Sequence, residues 1–212
     1  NEIGEICVSN PGVWPGNTYT EAAKNVDLYY EDKFLRTGDL GRLDEDGYLW
    51  ITGRAKDLII RGGHNIDPAQ IEEALMGHAS VAFAGAIGQP DVHSGELPCV
   101  YVELVADGEV TPDKLKAFCE EHVPERAAHP KYVEILDELP KTAVGKVFKP
   151  DLRKRAIIRI FNEALSDAGL QASVVEVRDD KQLGLIACVA SEASDSEITA
   201  VLGGFANTWR RA

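Results

Sequence analysis

Residues 47–68 constrain this chain more than any other stretch, because they join two different kinds of pattern. An alternating apolar strand leads into a short charged joint, and a second apolar strand follows. That strand opens into a glycine pair and a helix start. Charges between two apolar strands are typical of a boundary between folding units, and glycines let a backbone approach another group closely. The joint and the pair contain Arg54, Lys56, Asp57, Gly62 and Gly63.

The residues before the joint predict a β-rich unit. Two apolar runs flank the sequence D-E-D-G at residues 44–47, which is typical of a hairpin whose glycine takes a positive φ. A unit that ends at Lys56 is too small to close a core alone. We therefore expect residues 1–56 to be the β-rich end of a large domain whose front is missing from this sequence.

After the joint the pattern alternates between strands and helices. Apolar strands are predicted at residues 81–87, 98–105 and 132–136, and helices are predicted to start at Asp67-Pro68 and at Thr111-Pro112. This alternation predicts a compact α+β domain over residues 57–150, with helices against a small sheet.

The remaining residues, 151–212, are called the C-terminal extension below. Their pattern predicts a periodic helix, then a hairpin, and then a helix that starts at a capping box from Ser194 to Glu197. The predicted fold class is therefore α+β, with a small β-rich remnant, a compact α+β domain and an α/β tail.

Composition excludes some classes of function. The formal net charge of −13 makes the chain a poor general binder of nucleic acid or anionic membrane, and no apolar run is long enough for a transmembrane segment. Its four cysteines are widely spaced, so they indicate buried thiols in a reducing compartment and a cytoplasmic location. A basic run within residues 140–159 is either a solvated helix face or a surface that faces an anion. The cysteines are Cys7, Cys99, Cys119 and Cys188.

Two polar residues near the predicted hairpin are candidates for nucleotide binding. Asp39 follows Thr37-Gly38, and its carboxylate can accept two hydrogen bonds from the vicinal diol of a ribose, or it can form an Asx-turn. Arg54 offers a planar fork of donors suited to phosphate or ribose oxygens, or it forms an ordinary surface ion pair.

Two other segments carry candidate chemistry. The loop at residues 141–146 holds two lysines and the flexible Gly145, so Lys146 can bring a point charge to a carboxylate or a phosphate. The spacing of a phosphate-binding P-loop is absent from the sequence. His64 follows the glycine pair and is either a hydrogen-bonding surface residue or a catalytic group, while the other histidines are too scattered for a metal site.

The order of these motifs is more specific than any one of them. T-G-D, D-E-D-G-Y, G-R-x-K-D, R-G-G-H-N-I-x-P and P-K-T-x-x-G-K follow one another over residues 1–155. This order resembles the C-terminal part of the adenylate-forming (AMP-binding) enzymes. That superfamily includes acyl-CoA synthetases, adenylation domains of peptide synthetases and firefly-type luciferases.

The resemblance implies a role for each motif. Asp39 and Arg54 would bind the nucleotide, Lys56 would be the hinge of the mobile C-terminal domain, and Lys146 would be the catalytic lysine of adenylation. The segment that lines the pantetheine tunnel of CoA would be Arg61, Gly62, Gly63 and His64.

The implied activity is that of an acyl-CoA synthetase, an acid–thiol ligase. It would activate a fatty or aryl carboxylic acid with ATP to an acyl-adenylate and transfer the acyl group to CoA. Mg²⁺ would be bound mainly by the N-terminal domain, so the isolated fragment is expected to be inactive. The basic run gains a possible purpose in holding the phosphates of CoA or ATP.

Two alternatives stay open. The first is an adenylation domain that loads a carrier protein, although Ala206 stands where a carrier's serine would follow the sequence L-G-G at residues 202–204. The second is a non-catalytic regulatory or interaction module with the same fold.

Overall fold

A computed structural model describes residues 3–13, 16 and 18–212 of the chain. Contacts divide it into two compact units, residues 1–58 and residues 59–212. Among the described residues, no helix is both long enough and apolar enough to cross a membrane.

The first unit is a four-stranded antiparallel sheet in which the third strand pairs with each of the others. The predicted hairpin is confirmed, and Gly47 has a φ of 83°. Asp44 fixes the turn by accepting hydrogen bonds from the backbone N–H of Tyr48 and the indole N–H of Trp50. These bonds lower the pKa of Asp44. The strands are β1 (Gly4–Val8), β2 (Tyr29–Tyr30), β3 (Phe34–Leu43) and β4 (Leu49–Arg54).

The first unit has almost no core of its own. Of its described hydrophobic side chains, only that of Leu40 is classed as buried. Strand β4 and its surroundings leave large apolar groups exposed: Ile3, Leu43, Tyr48, Leu49, Trp50 and Ile51. A sheet with an uncovered apolar face is typical of an element that packs against further structure.

The second unit begins with a five-stranded sheet covered by two helices. Strand β8 is central, because it pairs with β5, β7 and β9. The strands are β5 (Ile59–Arg61), β6 (His64–Ile66), β7 (Val81–Asp91), β8 (Gly95–Leu104) and β9 (Tyr132–Leu136). Helices α1 (Ala69–Met76) and α2 (Pro112–His122) pack on it, so the α+β prediction is confirmed.

The C-terminal extension belongs to the second unit. Helix α3 (Lys149–Asp167) packs on β7 and on a second, three-stranded sheet. This sheet pairs β10 (Ala172–Asp180) with β11 (Gly184–Ser191) antiparallel, and β11 with β12 (Thr208–Arg211) parallel. Helix α4 (Asp195–Leu202) connects β11 to β12, and it starts at the predicted capping box of Ser194 and Glu197.

Close packing joins the extension to the first sheet of this unit. Gly85 lies on β7, and a Cβ atom there would stand 2.6 Å from Leu152 Cδ1 of α3. The interface buries Leu152 and Ala156 against Ile87, Cys99 and Tyr101 of the sheet. The missing side chain of Gly85 therefore lets α3 approach the strand.

Phe161→Ala tests how much the extension depends on its own core. The Phe161 ring is fully buried and lies 5.0 Å from the ring of Phe205. We expect a loss of about 3–5 kcal/mol in the free energy of unfolding, measured by urea denaturation. Val175→Ala is the control, because Val175 is 58% exposed in the same extension and should change stability by less than about 0.5 kcal/mol. Equal losses in the two variants would contradict this description of the core.

Candidate functional site

Asp39 and Arg54 lie side by side on β3 and β4. They are cross-strand partners, and Arg54 Nε donates a hydrogen bond of 2.7 Å to Asp39 Oδ1. That hydrogen bond raises the pKa of Arg54. The backbone N–H of Asp39 donates to the hydroxyl of Thr37, and Gly38 takes a φ of 74°. The structure thus places both candidate nucleotide-binding residues at one exposed point.

Lys56 lies where the two units meet in the sequence. It is exposed within a single 3₁₀ turn, Ala55–Asp57, that follows β4. The first unit ends at Leu58, two residues further on.

The predicted glycine pair forms a tight hairpin turn. Arg61 and His64 pair across it, and Gly62 and Gly63 have φ values of 55° and 87°. Two successive positive φ values are typical of a type I′ turn, which disfavours side chains. No atom lies within 4 Å of the position that a Cβ would take at either glycine. The space in front of this turn is open.

One element here was not predicted from the sequence. Strand β6 (His64–Ile66) lies between the glycine pair and the predicted helix start, and it pairs with β5. Helix α1 begins at Ala69, next to the predicted start at Asp67-Pro68. A three-residue strand is too short to show a period, so the sequence gave no signal for it.

A basic cleft of about 850 Å³ lies beside the glycine turn. Arg61, Gly62 and His64 form one wall, and Arg61 Nη1 is held by a 2.6 Å hydrogen bond to the carbonyl of Ala127. The other lining residues with charged or ionisable side chains are Lys116, Glu120, Arg126, His129 and Lys131. Arginine and lysine outnumber carboxylates here by four to one, in a chain that is acidic as a whole. The cleft therefore suits an anion.

The sequence did not reveal this cleft. Lys116 is on α2, Arg126 is in a 3₁₀ turn, and Lys131 precedes β9. The three residues are at least five positions apart in the sequence, so no basic run marks them. His129 is fixed by a hydrogen bond of 2.9 Å between its Nε2 and the carbonyl of Val123.

The loop that carries Lys146 is a small hairpin. The backbone N–H of Thr142 donates to the carbonyl of Lys146 at 2.7 Å, and that of Phe148 donates to Pro140 at 2.7 Å. Gly145 makes the turn possible with a φ of 78°. Lys146 itself is exposed. Among the described residues, its ammonium group has no ion-pair partner within 4.0 Å.

Two ion pairs fix the base of this hairpin. Lys141 Nζ lies 2.6 Å from Glu103 Oε2 of β8 and 4.4 Å from the centre of the Phe83 ring. Lys149 Nζ lies 2.8 Å from Glu72 Oε1 of α1. Burial raises the pKa of Glu72, although Lys149 acts to lower it. These contacts fix the two ends of the hairpin, and Lys146 lies between them near its exposed turn.

Most cations of the basic run within residues 140–159 have partners inside the protein. Besides the two pairs above, Lys154 lies 3.1 Å from Asp179, and Arg155 lies 2.5 Å from Glu134. Arg159 donates to Gln89 at 2.6 Å and stacks 3.5 Å from the centre of the Tyr132 ring. The acidic partners come from distant parts of the chain. These five cations therefore have a structural role, and a role of the run in holding phosphates stays a prediction.

The described cysteines and carboxylates do not form a metal site. All four cysteines are free, and burial raises the pKa of the Cys99 and Cys119 thiols to about 12. In the described part of the chain, no three residues among His, Cys, Asp and Glu come together in a group that could hold a metal ion.

Residues 70–146 match the family model of the AMP-binding enzyme C-terminal domain. The chain therefore contains an AMP-binding enzyme C-terminal domain, and the resemblance of its motifs to the C-terminal part of the adenylate-forming enzymes is confirmed.

Two CoA ligases and one solved structure are among the relatives of this chain. The marinolic acid–CoA ligase of Pseudoalteromonas sp. is 42% identical over 203 residues, which are 95% of this chain and 31% of that ligase. The 2-succinylbenzoate–CoA ligase of Bacillus cereus is 43% identical over 71% of this chain and 30% of its own length. The structure of ATP-bound MatB from Rhodopseudomonas palustris is 33% identical, with a TM-score of 0.65 over 72% of this chain and 30% of MatB. The chain spans about 30% of the length of these relatives.

Glu103→Gln tests the Lys141–Glu103 pair at the base of the hairpin. Burial of Glu103 acts to raise its pKa, but hydrogen bonds from Lys141 and the Leu139 N–H outweigh burial and lower it. A lowered folded-state pKa stabilises the fold above the unfolded-state pKa of about 4.3, and this stabilisation is lost as the pH falls through the folded-state value. We expect Glu103→Gln to cost about 1–2 kcal/mol at pH 7, and the cost should shrink in acid.

Urea denaturation of the chain at a series of pH values measures this difference. Glu138→Gln removes an exposed carboxylate beside Leu139 and is the control, with a cost that should not change with pH. A cost of Glu103→Gln that stayed constant down to pH 3 would refute the ion pair.

Proposed function

We propose that the whole protein is an acyl-CoA synthetase that joins a carboxylic acid to CoA at the expense of ATP. The observation that carries the proposal is the open glycine turn on the wall of a basic cleft. A turn without side chains leaves a path for a thiol-bearing arm, and a cleft rich in arginine and lysine attracts the phosphates at the other end of the same ligand. CoA combines these two features.

The first half-reaction uses the residues on β3, β4 and the Lys146 hairpin. A carboxylate oxygen of the acid attacks the α-phosphorus of ATP, a new P–O bond forms, and pyrophosphate leaves. Asp39 accepts hydrogen bonds from the ribose hydroxyls, and Arg54 lies beside it at the same nucleotide. Lys146 stabilises the negative charge that builds on the reacting oxygens. Mg²⁺ accompanies ATP and is bound mainly by parts of the protein that this chain does not include.

The second half-reaction uses the glycine turn. The CoA sulfur attacks the acyl carbon of the adenylate, the bond to the phosphate oxygen breaks, and AMP leaves. Gly62 and Gly63 give the pantetheine arm room, with Arg61 and His64 on either side. Supported by their place in the cleft, Lys116, Arg126 and Lys131 bind the CoA phosphates.

The two half-reactions need different positions of the C-terminal domain. We assign residues 1–56 to the end of the large domain, residues 57–150 to the mobile domain and residues 151–212 to an extension of it. Lys56 is the hinge, since its exposed 3₁₀ turn lies at the boundary between the two units. ATP and CoA as substrates, together with free buried thiols, favour a cytoplasmic location.

A carrier-protein ligase is the second candidate, because a carrier also presents a pantetheine arm. The basic cleft favours CoA, since a carrier arm lacks the adenosine 3′-phosphate and diphosphate groups that need several cations. A non-catalytic module is disfavoured by the exposed, unpaired Lys146 at the tip of a fixed hairpin.

Lys146→Ala in the whole protein tests the catalytic lysine. We expect ATP–pyrophosphate exchange to fall about 100-fold or more, because a charge that stabilises the transition state is removed. Transfer from a supplied acyl-adenylate to CoA should change by less than about threefold, since Lys146 has no role in that step. Val144→Ala, at an 80% exposed position of the same hairpin, is the control and should leave both reactions unchanged. Equal losses in both half-reactions would contradict the assignment.

Arg126→Glu and Lys131→Glu test the CoA cleft. Each should raise the KM for CoA about tenfold with little change in pyrophosphate exchange, because a phosphate contact becomes a repulsion. With dephospho-CoA at least one of the variants should lose less, since the 3′-phosphate is absent. Lys24→Glu reverses an exposed lysine of the first unit and is the control. Transfer to a phosphopantetheinylated carrier protein but not to CoA would support the second candidate instead.

A further inference from the structure

The C-terminal extension contacts the turn between β7 and β8, and this turn borders the candidate CoA site. We propose that the extension positions the glycine turn for thioester formation, and that Gly204 makes the contact by which it does so. This inference rests on the proposed function, since it assigns the extension to the second half-reaction of the same site. The connection runs from α4 to the turn between β7 and β8, and from that turn to Gly62.

The turn between β7 and β8 is held by hydrogen bonds of its own. Asp91 Oδ1 accepts hydrogen bonds from the backbone N–H groups of His93 and Ser94, at 3.1 and 2.7 Å. Gly95 continues into β8 with a φ of 77°. This Asx-type turn ties its tip to the end of β7.

This turn is bonded directly to the glycine hairpin. The backbone N–H of Gly62 donates to the carbonyl of Ser94 at 2.8 Å, and Arg61 pairs with Gly95. The backbone N–H of Ile60 donates to Glu96 Oε2 at 2.9 Å. Ser94 also lines the basic cleft. Any displacement of the turn is therefore passed to Gly62, at the start of the open path.

The extension reaches the other side of the same turn. Helix α4 ends at Leu202, and a Cβ atom at Gly204 would stand 2.9 Å from Val92 Cγ1. Gly204 does not adopt the left-handed conformation, so the backbone alone does not require a glycine there. A Cβ atom at that distance from Val92 Cγ1 would force the Val92 side chain, which is 47% exposed, to shift. Gly204, just after α4, therefore marks the contact between the extension and the turn.

A second attachment stops the extension from moving away. Arg159 of α3 donates a hydrogen bond of 2.6 Å to the side chain of Gln89, which is 7% exposed near the end of β7. The same guanidinium stacks on Tyr132. Helix α3 is thus attached to β7 at Gln89, and Gly204 lies against Val92 in the turn that follows β7. The extension supports the turn at both points.

Gly204→Val in the whole protein is the test. The added side chain should push Val92 and the turn towards Gly62, so we expect the KM for CoA to rise about five- to tenfold. ATP–pyrophosphate exchange should stay within twofold, because adenylation does not use the glycine turn. Val92→Ala makes room at the contact, so the double variant Gly204→Val/Val92→Ala should recover most of the affinity for CoA. Ala206→Val adds similar bulk at an exposed neighbouring position and should have little effect.

Hydrogen exchange gives a readout that does not depend on activity. In the 212-residue chain, Gly204→Val should speed exchange of the Gly62 amide, and Val92→Ala should reverse this. The milder Gly204→Ala should act in the same direction and serves if the valine variant does not fold.

An unchanged KM for CoA together with unchanged Gly62 exchange would overturn the inference. So would an equal loss of both half-reactions with a lowered melting temperature, which would indicate a purely structural role. If the wild-type protein forms the adenylate but no acyl-CoA, the proposed function fails, and the exchange experiment still decides whether the extension supports the turn.

Discussion

The second unit depends on the hydrogen bonding of strand β8, which pairs with three other strands. Its middle, from Cys99 to Val102, is completely buried, so this pairing forms in a water-free interior where unpaired backbone groups would be costly. The glycine turn and the Lys146 hairpin are both attached to this strand. Gly95 at one end pairs with Arg61 beside the glycine turn, and Glu103 at the other end holds Lys141 at the base of the Lys146 hairpin.

Ion pairing explains how an acidic chain presents two positively charged sites, which are Lys146 and the basic cleft. Four cations on α3, which are Lys149, Lys154, Arg155 and Arg159, are paired with carboxylates or stacked on an aromatic ring, and these contacts fix α3 to its neighbours. Lys146 and the cleft lysines and arginines remain available to an anion. The chain has a net charge of −13, so most of its surface repels anions. Unpaired cations therefore attract an anion to these two sites in particular.

Local patterns predicted the local structure well. The D-E-D-G turn and the capping box at Ser194 formed as expected, since both depend on residues within a few positions of each other. Strands β6 and β12 were missed, because three or four residues are too few to show a period. The partners of the basic run and the cleft were not predicted. Both depend on residues brought together only by folding, as Glu103 is for Lys141 and Arg61 is for Lys131.

Strand β8 also sets the distance between its two ends. Gly95 and Glu103 are eight residues apart, which is roughly 26 Å along an extended strand. In the proposed function the CoA thiol enters beside Gly95, and Lys146 acts from a hairpin whose base is held by Glu103. Placing the two features at opposite ends of one buried strand suits their proposed use in separate half-reactions, with a movement of the domain between them.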